Sequence, residues 1–259
     1  MLKISIITIN YNNLEGLKRT VESVVNQTWH EFEYIVIDGG STDGSGSYIE
    51  NQSCNIDYWV SEPDKGIYNA MNKGIMKANG EYLLFLNSGD HFYNDTVLEK
   101  NHIFLNLKDI IYFNLQVIDE IKAFVKNYPE QLSFSYFVKD TLPHPATFIK
   151  KTVFDKVGLY DENLSIVSDW KFFIESICKY NSSYKRIDEI LATFYLDGLS
   201  SESQNQTLIV DEKQQVLNSE FGTYLDDITH FFEIEKTVSN LKKSKKIKML
   251  IKLGLLNKF

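Results

Sequence analysis

Four short apolar runs, two of them rich in β-branched residues, occupy the first ninety positions, and each stops abruptly at polar residues. Lys3–Ile9 stops at Asn10-Tyr11-Asn12-Asn13, and Phe32–Ile37 at Asp38-Gly39-Gly40-Ser41-Thr42-Asp43-Gly44. A run around Tyr58-Trp59-Val60 leads to Ser61-Glu62-Pro63-Asp64, and Tyr82–Leu86 ends at Asn87-Ser88-Gly89-Asp90. Continuous apolar runs bounded by turn residues read as buried strands. Between them, Leu14, Leu17, Val21, Val24 and Val25 recur at helical spacing, as do Ile67, Ala70, Met71 and Ile75 within 66–78. Strand–helix alternation implies crossover connections and a mostly parallel sheet. Ligands of such sheets bind beyond the carboxyl ends of the strands. Asn10, Asp38, Asp64 and Asp90 should therefore converge on one cleft.

The second half is less regular. Residues 110–138 read as strand-rich, and Pro143-His144-Pro145 as a rigid loop. Val153–Gly158 reads as a short helix, and Ser168 as the cap of another that carries Asp169 in its first turn and Trp170, Phe173, Ile174 and Ile177 beyond. A strand at Leu191–Tyr195 precedes the Asp197-Gly198 turn, and the chain reads as helical from about Gln204.

Composition removes several function classes. Two cysteines among 259 residues exclude a disulfide scaffold and a four-cysteine zinc site. Thirty-five acidic against 27 basic residues, net −8, argues against nucleic-acid binding. The charge is unevenly spread: from Thr229 to Phe259 eight Lys face only Glu233 and Glu235, a net of +6, leaving −14 on the rest. In that tail Lys242, Lys243, Lys245, Lys246, Lys248 and Lys252 interleave with Leu241, Ile247, Leu250, Ile251, Leu255 and Leu256. A basic amphipathic helix of this kind suits an anionic membrane surface; packing on the body or on a partner subunit is the other use. No apolar run approaches the roughly 18 residues that span a bilayer, and no cleavage site follows the first strand. The expected location is the cytoplasm, with peripheral attachment to the inner face of the membrane.

Gly44-Ser45-Gly46 begins like a dinucleotide fingerprint, but position 49 is Ile, and Asp38 and Asp43 would repel a pyrophosphate. No Gly-Lys-Ser/Thr run exists, which excludes a P-loop. Strand-end carboxylates suit other work. They accept hydrogen bonds from a base or ribose, or hold a hard divalent cation against a diphosphate. Asp38 taken alone is equally a turn former bonded to its own backbone.

The ordered set of motifs is more specific than any one of them. Ile4–Asn12, Ser23–Thr28, Tyr34–Gly44, Ser61–Gly74 and Gly80–Asp90 together resemble glycosyltransferase family 2, most of all the branch that builds bacterial exopolysaccharides. The likeness is dense over residues 1–95, looser through His144–Phe148, Gly158–Glu162 and Ser168–Trp170, and ends near Ser201. It implies a GT-A fold of the α/β class over residues 1–203, a mostly parallel central sheet flanked by helices. Residues 1–95 would form its nucleotide-binding half and 96–203 its acceptor half. A helical extension, 204–259, follows.

The resemblance also implies an enzyme of the hexosyltransferase class that takes a nucleotide-sugar donor, UDP favoured, and inverts the anomeric carbon. The acceptor would be a growing, lipid-linked bacterial polysaccharide. Asp169 would be the catalytic base. Donor contacts would come from Ile9, Asn10, Tyr11, Asp38, Asp64, Lys65, Asn72, Lys73, Asn87 and Ser88, and acceptor contacts from His144 and Trp170. Asp90 would bind Mg²⁺ or Mn²⁺, with His91 and Asp197 as weaker candidates.

Three departures from the family pattern matter. Gly39 stands where a second Asp is common, so a base contact is lost. Asn87-Ser88-Gly89-Asp90 replaces Asp-x-Asp-Asp, leaving one carboxylate for the metal. Met71 replaces a common Arg, passing a phosphate contact to Lys73 or Lys65. The eroded metal motif keeps a second reading open, a catalytically silent nucleotide-sugar or glycan-binding module. A nucleotide-dependent oxidoreductase and a glycosidase are weaker alternatives.

Overall fold

The structure is a computed structural model that describes residues 3–119, 122–196, 198 and 201–258. The chain divides into two compact units, residues 1–212 and 213–259.

The first unit is built on a nine-stranded sheet. Its elements run β1 (Ile4–Asn10), α1 (Leu14–Val25), β2 (Phe32–Asp38), α2 (Ser45–Asn51), β3 (Tyr58–Ser61), α3 (Ile67–Lys77), β4 (Tyr82–Phe85), β5 (His91–Phe92) and α4 (Val97–Asn101). They continue through β6 (Ile110–Ile118), β7 (Ala123–Lys126), α5 (Phe134–Lys139), β8 (Thr147–Lys150), α6 (Lys151–Val157), α7 (Ser168–Cys178) and β9 (Tyr184–Tyr195). Then α8 (Gln206–Lys243) begins. The strand order is β3-β2-β1-β4-β8-β6-β9-β5, with β7 paired to β6.

The N-terminal strands β3, β2, β1 and β4 are all parallel, as the strand–helix alternation requires. Beyond them β8 runs antiparallel to both β4 and β6, while β6 and β9 are parallel. β1 is buried along its whole length, with Ile4, Ile6 and Ile7 fully covered. Helices pack on it closely. A Cβ on Gly74 of α3 would lie 2.5 Å from Ile7 Cγ2, so only glycine lets α3 approach the sheet this far. On α1, Leu17, Val21 and Val24 are buried, each worth about 1.5–3 kcal/mol of transfer free energy. Asn13 caps that helix by accepting from the Gly16 N–H at 3.1 Å.

Three local expectations change. Within the strand-rich stretch, Phe134–Lys139 is a helix, capped by the Ser133 hydroxyl, which accepts from the Tyr136 N–H. Pro143-His144-Pro145 opens a 3₁₀ turn, His144–Ala146, that leads directly into β8. Ser168 is the first residue of α7 rather than its cap; its hydroxyl accepts from the Asp161 N–H at 2.6 Å.

The second unit is helical. α8 carries non-helical backbone at Phe221, and α9 (Lys245–Lys252) follows a break at Ser244. Among the described residues no helix is long and apolar enough to cross a membrane. Neither Cys54 nor Cys178 is disulfide-bonded.

Candidate active site

Parallel pairing sets the ends of β1, β2 and β3 in one row. Asn10 lies opposite Asp38, and Asp38 opposite Ser61. The row is cross-linked by its own side chains. Asp38 is fully buried, and its carboxylate accepts from Asn10 Nδ2 (2.7 Å), Ser41 Oγ (2.6 Å), the Ser41 N–H (3.0 Å) and Ser61 Oγ (2.6 Å). Burial alone would raise its pKa. The hydrogen bonds from Ser41, Ser61 and Asn10 outweigh burial and hold it below the ordinary value. Asp38, expected at the nucleoside, is thus held inward at the strand ends. Its lone pairs are spent on stitching three strand ends together.

The neighbouring loops are equally tied. The Asn12 N–H donates to Ser41 Oγ, and Asn12 Oδ1 accepts from the Thr42 N–H. Asp43 accepts from the N–H of Leu14 and from both the N–H and hydroxyl of Ser45. The Ser45 N–H at the start of α2 is thus already satisfied by a carboxylate, which removes a donor a dinucleotide pyrophosphate would need.

Asp64 is placed differently. It is half-buried, with Oδ1 accepting from the Gly66 N–H at 3.1 Å. A Cβ on Gly39 would sit 2.7 Å from Asp64 Oδ2 and 3.2 Å from the Tyr11 ring. Glycine at 39 therefore makes room for Asp64 and Tyr11 to lie against the end of β2. Tyr11 is 68% exposed, and Lys65 is exposed. Lys73 pairs with Glu62 at 2.8 Å.

Two donor-side candidates turn inward. The Ile9 side chain is buried, and its carbonyl accepts from the Ser88 N–H. Asn72 is buried: Nδ2 donates to the Tyr160 carbonyl and to Glu162, and Oδ1 accepts from the Tyr160 N–H. It ties α3 to the loop before α7, with both amide hydrogens committed.

The loop after β4 is folded onto α1. Asn13 Nδ2 donates to the Ser88 carbonyl, Ser88 Oγ donates to the Asn13 carbonyl, and Thr20 Oγ1 donates to the Asp90 carbonyl at 2.6 Å. Two buried amide oxygens at these strand ends, Asn10 Oδ1 and Asn87 Oδ1, lack hydrogen-bond partners among the described residues. Unpaired buried acceptors are costly, and they mark places where a donor or cation completes the shell. Among the described residues no three His, Cys, Asp or Glu side chains converge to cage a metal. Asn87 Oδ1 is an unpaired buried oxygen of the kind a hard cation takes, and Asp90, 8% exposed, stands three positions further along the same loop. His91 lies in β5, with Nε2 3.3 Å from the Tyr195 hydroxyl. Asp197 lies outside the described residues.

Asp169 sits in the first turn of α7, half-buried, and its Oδ1 accepts from the Tyr68 hydroxyl at 2.9 Å. Both residues expected on the acceptor side are buried among other side chains. Trp170 is 2% exposed and donates its indole N–H to the Phe137 carbonyl at 2.7 Å. His144 is buried, stacked on Phe85 at 4.7 Å, with Nε2 2.9 Å from the Tyr160 hydroxyl. Burial pushes its imidazole below the ordinary pKa, opposed by the charge of Asp169, so it is neutral at pH 7. An aromatic ring in a sequence reads the same whether it faces a cleft or fills a core.

The residues that organise the site but escaped the sequence reading are Ser41, Ser61, Tyr68, Glu162 and Glu212. Tyr68 lay within the matched Ser61–Gly74 motif. Its hydroxyl function was hidden because it falls in an amphipathic helical pattern.

Comparison with known proteins accords with this architecture. Residues 5–144 match the family model described as glycosyl transferase family 2. An uncharacterized glycosyltransferase of Mycobacterium tuberculosis is 36% identical over 183 residues, 67% of this chain and 68% of the relative. The chain belongs to glycosyl transferase family 2 and is a glycosyltransferase. Among solved structures, S. aureus TarS 1-349 in complex with UDP-GlcNAc superposes with a TM-score of 0.63 at 16% identity, over 86% of this chain and 73% of that one. The chain spans only 43% of a longer TarS chain. A mannosyltransferase of Pyrobaculum calidifontis, in complex with GDP-Man and Mn²⁺, gives a TM-score of 0.58 at 11% identity, over 77% of this chain and 58% of that one. These likenesses bear on the fold, which is GT-A.

Proposed function

We propose that this glycosyltransferase moves a sugar from a UDP-sugar to a hydroxyl of a lipid-linked bacterial surface glycan, inverting the anomeric carbon. The observation that carries the reading is that two half-buried carboxylates flank the start of one helix, α3. Asp64 precedes α3 at the end of the β2–β3 edge, and Asp169 is bonded to Tyr68 in the first turn of α3. One carboxylate serves the donor, the other the acceptor.

Asp64 and Tyr11 hold the nucleoside against Gly39. Asp38 keeps that pocket's floor rigid and Lys65 meets phosphate charge. The acceptor oxygen attacks the anomeric carbon as the bond from that carbon to the diphosphate oxygen breaks. Its proton passes to the Asp169 carboxylate, and the nucleoside diphosphate leaves. Asp90 and Asn87 Oδ1 are the oxygens that would hold Mg²⁺ or Mn²⁺; when bound, the cation neutralises the leaving diphosphate. Support for UDP comes from the TarS complex with UDP-GlcNAc, and for a metal from the mannosyltransferase complex with Mn²⁺.

Calorimetric titration with UDP, GDP and dTDP, each with and without Mn²⁺, tests the donor half. UDP binding that strengthens with Mn²⁺ is the expected result. Metal-independent binding removes the cation from the reading, and tight binding of another nucleotide changes the donor. Asp169→Asn tests the chemistry. It should lower turnover by about 10²–10⁴-fold with nucleotide affinity preserved, the range one positioned base contributes. Binding without any turnover in the wild-type protein would identify a silent nucleotide-sugar module instead.

A further inference from the structure

We propose that Tyr68 is a positioning residue for the base. Its hydroxyl holds Oδ1 of Asp169, leaves Oδ2 to take the acceptor proton, and locks the base to the helix that follows the donor loop.

The inference rests on the assignment of Asp169 as base, and it goes beyond that assignment to the geometry that makes the base work. Tyr68 is buried, and its hydroxyl is 2.5 Å from the Ile166 carbonyl and 2.9 Å from Asp169 Oδ1. It has one proton and two acceptors, which gives it a partner in both states of the base. While Asp169 is ionised, the phenol donates to the carboxylate. Once Asp169 carries the acceptor proton on Oδ2, the phenol can turn its proton to the Ile166 carbonyl, so its own buried O–H is paired in both states. Burial first, then the neighbouring Asp169 charge, push the phenol well above its ordinary pKa, so it stays a donor throughout.

Ile166 is held in its turn. The buried carboxylate of Glu212 accepts from three consecutive backbone N–H groups, Ser165 (2.6 Å), Ile166 (3.0 Å) and Val167 (3.3 Å), immediately before α7. On the other side, the Tyr68 ring packs against Tyr160 at 5.7 Å, and Asn72, one turn further along α3, is bonded to the Tyr160 backbone. The base is therefore set by α3 from one side and by the strap from Glu212 on the other. Reacting groups must be placed to within about 1 Å for full effect, so such fixing has a direct consequence for rate.

The test uses the full chain labelled with ¹³C at the Asp side-chain carboxyl. Asp169 is identified by the resonance lost in Asp169→Asn. In Tyr68→Phe, which keeps the ring packing, that resonance should move. With UDP-GlcNAc and Mn²⁺ as the probe, UDP release should slow by about ten- to a hundredfold while the donor KM changes less than about twofold. A cooperative thermal melt establishes that the variant is folded. An unmoved resonance overturns the inference whatever the donor. A moved resonance with an unmoved rate, or a rate loss that comes with an equal change in donor KM, overturns it too, since the contact would then be structural only. Normal turnover in Asp169→Asn defeats the assignment of the base itself, a distinct result.

Discussion

Asp38 is a carboxylate withdrawn from water and surrounded by four donors. Its depressed pKa has a sign that can be checked. A carboxyl whose folded pKa lies below its unfolded value of about 3.9 contributes stability that is complete above that value and lost as pH falls through the folded pKa. Asp38→Asn keeps the shape but leaves one oxygen to accept where two did. The variant should lose about 1–3 kcal/mol at pH 7 by denaturant melt, the cost of leaving buried donors unmet. The difference from wild type should shrink in acid, as the wild-type carboxyl protonates. A deficit of the same size at pH 7 and in acid would remove the charge from the explanation. The same residue shows what a sequence exposes and what it hides. That Asp38 ends a strand beside Asn10 was legible from where the apolar run stops. That both oxygens point inward was not, because Ser41 and Ser61, which claim them, reveal nothing by their spacing. Asn72 is a second case: its motif was legible, but its partners Tyr160 and Glu162 lie about ninety residues away in the chain.

Elements were legible to the degree that burial was one-sided or complete. β1, β2 and β4 announce themselves because central parallel strands must be apolar on both faces. α5 did not, because Phe134-Ser135-Tyr136-Phe137-Val138 carries strand-favouring aromatic and β-branched residues, and tertiary packing around buried Phe137 overrides that preference. α7 illustrates dependence of a different kind. Its start is organised by Glu212, which stands 43 positions beyond Asp169 and within an otherwise polar helical stretch. Glu212→Gln replaces a carboxylate that serves three N–H groups by an amide with one acceptor. It should cost about 1–3 kcal/mol and raise amide hydrogen exchange at Ser165–Val167 ahead of the rest of the unit. Uniform exchange across the unit in that variant would show that Glu212 supports the fold at large rather than the loop beside the base.

At the scale of the whole chain the governing quantity is the separation of charge. The body carries −14 and the last thirty-one residues +6, so an anionic surface repels the one and attracts the other. α9 sets Ile247, Leu250 and Ile251 on one side, half-buried, and Lys245, Lys248 and Lys252 on the other. Lys242, Lys248 and Lys258 surround Ile251 in a shallow hollow, while Met249, Leu253 and Leu255 are exposed. Cations at about 1 kcal/mol each near an anionic leaflet, beside apolar groups that can enter the headgroup boundary, are what a helix needs in order to lie on a membrane, and the proposed lipid-linked acceptor predicts that use. Deleting residues 241–259 should therefore reduce co-sedimentation with phosphatidylglycerol vesicles, leave the weak binding to phosphatidylcholine vesicles unchanged, and abolish its dependence on salt. Nucleotide binding, which depends on the first unit, should survive the deletion. If the truncated chain still binds phosphatidylglycerol vesicles as the full chain does, the tail has no membrane role. If it instead loses a concentration-dependent dimer, the apolar side of α9 serves a second copy of the chain.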